Sequence, residues 1–295
     1  MTSHNRARTS TERSTDGGTV SWSTVPTRTI SVGGTDFAHR AYGPTGGVPV
    51  VFLHHLAANL DNWDPRLTDG IANRHRVIAF DNRGVGASGG TTPDSVEAMA
   101  ADAVAFIDAM GLAKVDLLGF SLGGFLAQVI AAQRPELVRK IILAGTGPAG
   151  GAGIDKVTRV TYTDTITALL TRKDPKQNLF FTRTQNGKAR SREFIARLNE
   201  RTDNRDDPVS LTTFRTQLRA IHAWATRAPA DLSTITHPVL VANGDDDRMV
   251  PTSNSHDLAR RLPDASLQIY PDAGHGGIFQ EHRHFVATAQ EFLAA

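Results

Sequence analysis

Ser121 stands out in this sequence because its surroundings suit a nucleophile. It lies in the pattern Gly119-x-Ser121-x-Gly123, directly after the apolar run Val115–Leu118 and before apolar residues at helical spacing. A chain that turns abruptly from strand to helix strains the backbone of the serine and requires small residues on either side. Such a turn raises the hydroxyl above the sheet edge and directs the first helical N–H groups towards the group it attacks.

Candidates for a base and an acid follow two later strand-like runs, Pro238–Ala242 and Ser266–Tyr270. A serine hydroxyl is almost fully protonated at neutral pH, so it needs a base, and the base needs a buried acid to orient it. The acidic turn 245–247 follows the first run, and His275, between glycines, follows the second. Serine, then aspartate, then histidine is an order in which such triads occur.

The residue pattern alone leaves alternatives for each role. All three aspartates of the acidic turn also suit a solvated turn that caps the next helix. His282 and His284 fall on a predicted helix, where a surface role is expected, whereas a glycine-flanked loop suits a histidine that must reach a nucleophile. Ser121 itself would also fit a tight strand-to-helix turn without any chemistry.

The elements that must position these residues alternate between strands and helices. This alternation predicts an α/β fold with a mostly parallel sheet of about eight strands and helices on both faces. From 146 to 232, helical spacing continues without a clear strand, which predicts a helical lid inserted after the sixth strand. Open sheets bind ligands at the edge that such a lid would cover. Strands are predicted over 28–32, 37–42, 48–53, 76–80, 115–120, 140–144, 238–242 and 266–270.

The predicted domain boundaries follow from these patterns. Residues 1–24 are rich in serine, threonine, arginine and glycine, so we expect a disordered tail whose removal changes neither melting temperature nor activity. The first part of the core is expected over 25–145, the lid over 146–232 and the second part of the core over 233–295.

Composition excludes several classes of function. The chain has no cysteine, which rules out disulfides, thiolate catalysis and cysteine-based metal sites, and which suits a cytoplasmic location. The net charge of +2 is already present in residues 1–28, so the remainder is neutral and no nucleic acid is expected as a partner. No membrane partner is expected either, because no apolar run approaches the length of about 18 residues that a spanning helix requires.

Five short motifs occur in order along the chain: His54-His55-Leu56, Asp81-x-Arg83-Gly84-x-Gly86-x-Ser88, Gly119-x-Ser121-x-Gly123, Gly244-x-x-Asp247-x-x-Val250-Pro251 and Gly274-His275. Each is modest alone, but together they are specific. Over about residues 25–295 the chain resembles the α/β-hydrolase fold superfamily. More narrowly, it resembles the helically capped branch that includes cofactor-free haloperoxidase-like esterases.

The resemblance implies roles for individual residues. It makes Ser121 the nucleophile, Asp247 the acid of the triad and His275 the base. It also places an oxyanion hole at the backbone N–H groups of Leu56 and Leu122. Neither a cofactor nor a metal ion is implied.

Position 55 departs from the family pattern, in which the usual residue is glycine. Histidine tolerates positive φ better than most side chains, so we expect the loop to keep its course with His55 in that conformation. His55 would then stand beside the pocket, either in contact with substrate or as a hydrogen-bonded loop residue without a chemical role. Trp224, in the predicted lid, is a second candidate for substrate contact, although packing between lid and sheet suits it equally.

The expected reaction is the hydrolysis of a carboxylic ester of a small molecule, or of a lactone or thioester, through an acyl-enzyme. Perhydrolysis at the same site, with peroxide in place of water, is the alternative activity. A small-ligand receptor on the same fold is the alternative without turnover.

Overall fold

The computed structural model describes residues 20–295, and residues 1–19 lie outside the described part. The strands are β1 (Arg28–Val32), β2 (Thr35–Tyr42), β3 (Val50–Leu53), β4 (Val77–Phe80), β5 (Val115–Phe120), β6 (Val138–Ala144), β7 (Val239–Gly244) and β8 (Ala265–Tyr270). The helices are α1 (Pro65–Ala72), α2 (Val96–Ala109), α3 (Leu122–Gln133), α4 (Val157–Leu170), α5 (Pro175–Phe180), α6 (Gln185–Leu198), α7 (Leu211–Thr226), α8 (Ser253–Arg261), α9 (Gly277–Gln280) and α10 (His282–Ala294). None of the described helices is both long and apolar enough to cross a bilayer.

The strands form one eight-stranded sheet in the order β1-β2-β4-β3-β5-β6-β7-β8. β2 runs antiparallel to both of its neighbours, and all pairs from β4 to β8 are parallel. The carboxyl ends of β3, β5, β7 and β8 therefore meet at one edge of the sheet. The segments that follow these four strands hold every residue to which the sequence gives a role in the chemistry.

Side chains of the central strands alternate between two apolar clusters. Val51 and Leu53 belong to a cluster that includes buried side chains of α2 and α3. Val50 and Phe52 belong to a second cluster, which includes buried side chains of α1 and α10. Because successive side chains of a strand point to opposite faces, helices cover the sheet on both faces. The predicted fold class is confirmed.

The helices α4 to α7 all lie between β6 and β7, where the sequence predicts a helical insertion. We call residues 146–232 the helical segment. Its longest helix, α7, buries Leu218, Ile221 and Trp224 against the core. The ring of Trp224 stacks on Phe125 of α3, with centroids 5.2 Å apart. This packing joins the helical segment to the helix that follows Ser121.

The structure corrects the boundary expected for the N-terminal tail. Trp22 is only 2% exposed, and its backbone N–H donates to Asp69 at 2.7 Å. The guanidinium of Arg40 lies 5.2 Å from the centroid of the Trp22 ring. Arg201, from the helical segment, donates to the backbone carbonyl of Val25 at 2.9 Å. A single tryptophan among polar residues has no periodicity, which is why the sequence pattern misses it.

Truncation before residue 25 is therefore expected to destabilise the protein, in contrast to the expectation from sequence. Loss of a buried tryptophan side chain costs about 3–5 kcal/mol, and Arg201 also loses the backbone carbonyls of Trp22 and Ser23 as acceptors. Thermal unfolding of a variant lacking residues 1–24 should show a clearly lower midpoint. The matched control lacks only residues 1–19 and keeps the contacts of Trp22. Equal midpoints for the two truncations would contradict the role given to Trp22.

Candidate active site

Ser121 connects β5 directly to α3 in a strained turn. Its backbone angles are φ 55° and ψ −115°, a region that side-chain-bearing residues occupy only under constraint. Its N–H donates to the carbonyl of Ala144 at 2.9 Å. Its own carbonyl accepts from the hydroxyl of Thr146 at 2.8 Å. Two hydrogen bonds to the end of β6 and the loop after it thus hold the strained residue in place.

The glycines on either side of Ser121 are required by close packing. A Cβ atom at position 119 would overlap the carbonyl of Gly123, and one at position 123 would overlap the carbonyl of Leu53. Helix α3 can therefore start directly against the end of β3 only with glycine at both positions. The spacing seen in the sequence is a packing requirement of this turn.

Asp247 and His275 are in direct contact. The Nδ1 atom of His275 lies 2.8 Å from Oδ2 of Asp247, and both side chains are buried. The other carboxylate oxygen accepts the backbone N–H groups of Met249 and Val250, at 2.8 and 2.9 Å. Because a carboxylate can only accept, Nδ1 carries the proton, and the lone pair of a neutral ring lies on Nε2.

The three aspartates of the acidic turn differ in burial, and the contact to His275 is made by Asp247. Asp245 and Asp246 are exposed, whereas Asp247 is 6% exposed. Asp245 instead accepts the N–H of Ala273 at 3.2 Å, which ties the turn after β7 to the loop after β8. That loop is fixed from the other side as well, because the N–H of Gly276 donates to the carbonyl of Phe180 at 2.8 Å. His275 is thus held between the sheet edge and the helical segment.

Ser121 and His275 line the same cavity, which has a volume of about 340 Å³. Within the described chain, the Ser121 hydroxyl makes no hydrogen bond to the imidazole. In enzymes without substrate such contacts are often long and tighten when substrate binds. The cavity lies between the sheet edge and the helical segment, and its other lining residues are His55, Leu56, Ala57, Thr161, Thr165, Asp174, Pro175, Lys176, Leu179, Phe180, Val209, Leu211, Phe214 and Met249.

The two backbone N–H groups predicted for the oxyanion hole lie at the same sheet edge. Leu122 is the first residue of α3, and Leu56 lies in the turn after β3, the parallel neighbour of β5. Neither amide donates a hydrogen bond to another group within residues 20–295. Leu56 lines the cavity. Leu122 is not among the residues that line it, although it follows Ser121 directly.

Of the residues predicted to contact substrate, one lines the cavity and the other does not. His55 is a lining residue. Trp224 lies outside the cavity, where it packs on Phe125. His282 and His284, the competitors of His275, lie on α10 and do not line the cavity either. Aromatic character and helical spacing do not distinguish a residue that faces a cavity from one that faces the core.

The expected backbone conformation of His55 is wrong. The residue with positive φ in this loop is Ala57, at φ 54°. Its N–H donates to Oε1 of Gln217 at 2.8 Å, and Gln217 is fully buried on α7. The course of the loop is thus fixed by a side chain 160 residues away. Sequence reasoning missed Gln217, since a glutamine at a helical position carries no local signal.

Position 57, and not position 55, is therefore the place in this loop where positive φ requires a small residue. Ala57→Val is expected to lower kcat by about tenfold or more, because a β-branched residue avoids positive φ and would displace the Leu56 N–H from the oxyanion. Ala57→Gly should keep most of the activity. Steady-state kinetics on a p-nitrophenyl ester, with circular dichroism as a check of folding, measure both variants. A folded Ala57→Val protein with unchanged kcat would contradict this reading.

The described residues offer no evident metal site. Within residues 20–295, no group of three or more histidine, aspartate or glutamate side chains is placed to hold a metal ion. The polar residues that line the cavity are Ser121, His275, His55, Thr161, Thr165, Asp174 and Lys176.

Comparisons with known proteins agree with this geometry. Residues 48–282 match the family described as alpha/beta hydrolase fold. The solved structure of an alpha/beta hydrolase fold protein from Chitinophaga pinensis is similar, with a TM-score of 0.89 and 38% identity over 94% of this chain and 100% of that one.

Two relatives carry names that refer to activities. The "Putative carbamate hydrolase RutD" of Caulobacter sp. (strain K31) is 31% identical over 237 residues, which cover 79% of this chain and 85% of the relative. The "Non-heme chloroperoxidase" of Streptomyces lividans is 28% identical over 256 residues, which cover 82% of this chain and 90% of the relative. The family match spans most of the chain, and the chain therefore belongs to the alpha/beta hydrolase fold family.

Proposed function

We propose that this protein is a serine hydrolase that cleaves a carboxylic ester of a small molecule, or a lactone or thioester, through an acyl-enzyme. The observation that carries the proposal is the buried pair of Asp247 and His275, held at 2.8 Å beside a cavity that Ser121 also lines. No cofactor takes part.

Each group has a defined step in this reaction. His275 Nε2 takes the proton of Ser121 as Oγ bonds to the acyl carbon, and Asp247 stabilises the resulting imidazolium. The N–H groups of Leu56 and Leu122 bind the oxyanion, where one such donor contributes about 3 kcal/mol to transition-state stabilisation. The C–O bond to the leaving alcohol then breaks, and the alcohol takes the proton from His275.

Water completes the cycle by the same proton transfers. His275 accepts a proton as the water oxygen attacks the acyl-enzyme, and it returns that proton to Ser121 Oγ when the carboxylic acid leaves. The cavity suits a small substrate, because its volume of about 340 Å³ lies at the lower end of ligand pockets.

Perhydrolysis is the second candidate activity, and the relative named as a chloroperoxidase favours it. Peroxide would replace water in the attack on the same acyl-enzyme and would yield a peracid. The RutD relative likewise makes a carbamate a candidate substrate, since the attack on its carbonyl is the same step. Both alternatives use the residues assigned above.

The proposal is tested by rapid mixing with p-nitrophenyl acetate and p-nitrophenyl butyrate. We expect turnover with an initial burst of p-nitrophenol close to one equivalent per protein molecule, which is the kinetic signature of an acyl-enzyme. Adding peroxide together with an acid or ester distinguishes perhydrolysis, through formation of peracid. A protein that binds these esters without releasing p-nitrophenol would instead be the ligand receptor.

A further inference from the structure

His55 presents an unused hydrogen-bond acceptor at the cavity. Its Nδ1 lies 2.8 Å from the carbonyl of Leu56, and a carbonyl can only accept, so Nδ1 carries the proton. Burial lowers the pKa of the His55 imidazole well below its usual value, and the charge of Lys176 lowers it further. The ring is therefore neutral, with its lone pair on Nε2. That atom is buried and has no hydrogen-bond partner among the described residues.

Thr161 presents a second unused polar atom in the lining of the same cavity. It lies on α4, lines the cavity and is 3% exposed. Helical threonines commonly bond back to the carbonyl one turn earlier. The Thr161 hydroxyl makes no such bond, and it has no other partner within residues 20–295.

These two atoms stand in a largely apolar setting. The His55 ring makes edge-to-face contacts with the rings of Phe120 and Phe180, with centroids 5.3 and 5.1 Å apart. The ammonium of Lys176 is paired with Asp174 at 3.3 Å. A buried polar group without a partner costs about 1–3 kcal/mol, so such groups in a cavity call for a partner from a ligand or from water.

We propose that the substrate carries a hydroxyl or N–H group that donates to His55 Nε2, with the Thr161 hydroxyl as its second partner. The preferred substrates are then esters that bear such a group, and plain aliphatic esters are poor ones. This inference rests on the proposed hydrolase function for its chemistry, and it adds the class of substrate.

Three small esters test the inference: ethyl butyrate, ethyl 3-hydroxybutyrate and 2-hydroxyethyl butyrate. The second adds a hydroxyl on the acyl side of the ester bond, and the third adds one on the alcohol side. A site built to hydrogen-bond a substrate discriminates strongly against an analogue that lacks the donor. We expect kcat/KM for one of the hydroxylated esters to exceed that for ethyl butyrate by about tenfold or more.

Matched variants assign the preference to these side chains. Thr161→Val removes the hydroxyl at nearly constant shape, and Thr161→Ser keeps it. His55→Phe keeps an aromatic ring against Phe120 and Phe180 but removes the acceptor. The measured quantity is the ratio of kcat/KM for the preferred hydroxylated ester to kcat/KM for ethyl butyrate. We expect this ratio to fall towards one in His55→Phe and Thr161→Val, and to persist in Thr161→Ser. We use this ratio because a general loss of activity lowers kcat/KM for both esters equally and leaves the ratio unchanged.

Two results overturn the inference. In the first, kcat/KM of wild-type protein for both hydroxylated esters lies within about twofold of that for ethyl butyrate; in the second, the ratio is the same in His55→Phe as in wild type. Binding of the same esters to Ser121→Ala protein, measured by NMR titration, separates this inference from the proposed function. If wild-type protein cleaves neither these esters nor the p-nitrophenyl esters, the hydrolase proposal fails. In that case the inference is decided by binding. The affinity of Ser121→Ala protein for a hydroxylated ester relative to ethyl butyrate is compared with that of the Ser121→Ala, His55→Phe double variant, and the same two results overturn the inference.

Discussion

Replacing Ser121 with alanine is expected to lower kcat for ester hydrolysis by about 10⁶-fold. Without Oγ no acyl-enzyme can form, and the remaining oxyanion donors can only assist direct attack by water. The cavity keeps its shape, so substrate binding should change little. Steady-state kinetics on a p-nitrophenyl ester, with the far-ultraviolet circular dichroism spectrum compared with that of wild type, measure this effect.

Ser121→Gly is the matched control for this prediction. It removes the same hydroxyl, so its loss of activity should equal that of Ser121→Ala. Glycine also relieves the strained backbone at φ 55°, so the glycine variant should be more stable than the alanine variant by about 1 kcal/mol. A folded Ser121→Ala protein that retains more than a small fraction of wild-type turnover would exclude Ser121 as the nucleophile.

The change Asp247→Asn is expected to have the second-largest effect, a decrease in kcat of about 10⁴-fold. The Oδ1 atom of Asp247 accepts two backbone N–H groups, so an asparagine oxygen will occupy the same place. Its NH₂ group then faces Nδ1 of His275. Because that nitrogen must now accept, the proton moves to Nε2, and the imidazole can no longer take the proton of Ser121.

The two neighbouring aspartates provide the control. Asp245→Asn and Asp246→Asn keep the size of the side chain at exposed positions of the same turn, without contact to His275. We expect both variants to retain kcat within a few-fold of wild type. A loss at either position as large as that of Asp247→Asn would move the assignment of the triad acid away from Asp247.

The sequence predicts the turn from strand to helix at Ser121 well because the signal is local. Strand, serine and helix are adjacent in the chain, and the clashes that require Gly119 and Gly123 involve the same turn and the neighbouring strand β3. The contact between Asp247 and His275 spans 28 residues, but the two residues follow the ends of parallel neighbouring strands, β7 and β8. The strand pattern therefore suffices to place the two loops side by side.

Features that depend on distant contacts were not predictable in the same way. The positive φ at Ala57 is fixed by Gln217, and the position of Trp224 by its stacking on Phe125. Arg83, which belongs to the second of the five sequence motifs, binds Asp102 of α2 at 2.6 Å. In each case the sequence shows a residue of the right type, and its partner is chosen by tertiary packing.

The most direct test of the central claim is to locate the covalent adduct of a fluorophosphonate probe. The protein is treated with the probe, digested with trypsin and sequenced by tandem mass spectrometry. If Ser121 is the activated nucleophile, the adduct should lie on Ser121, and unfolded protein should remain unlabelled. Labelling at another residue, or none on a folded protein that hydrolyses esters, would contradict the assignment of Ser121 as the nucleophile.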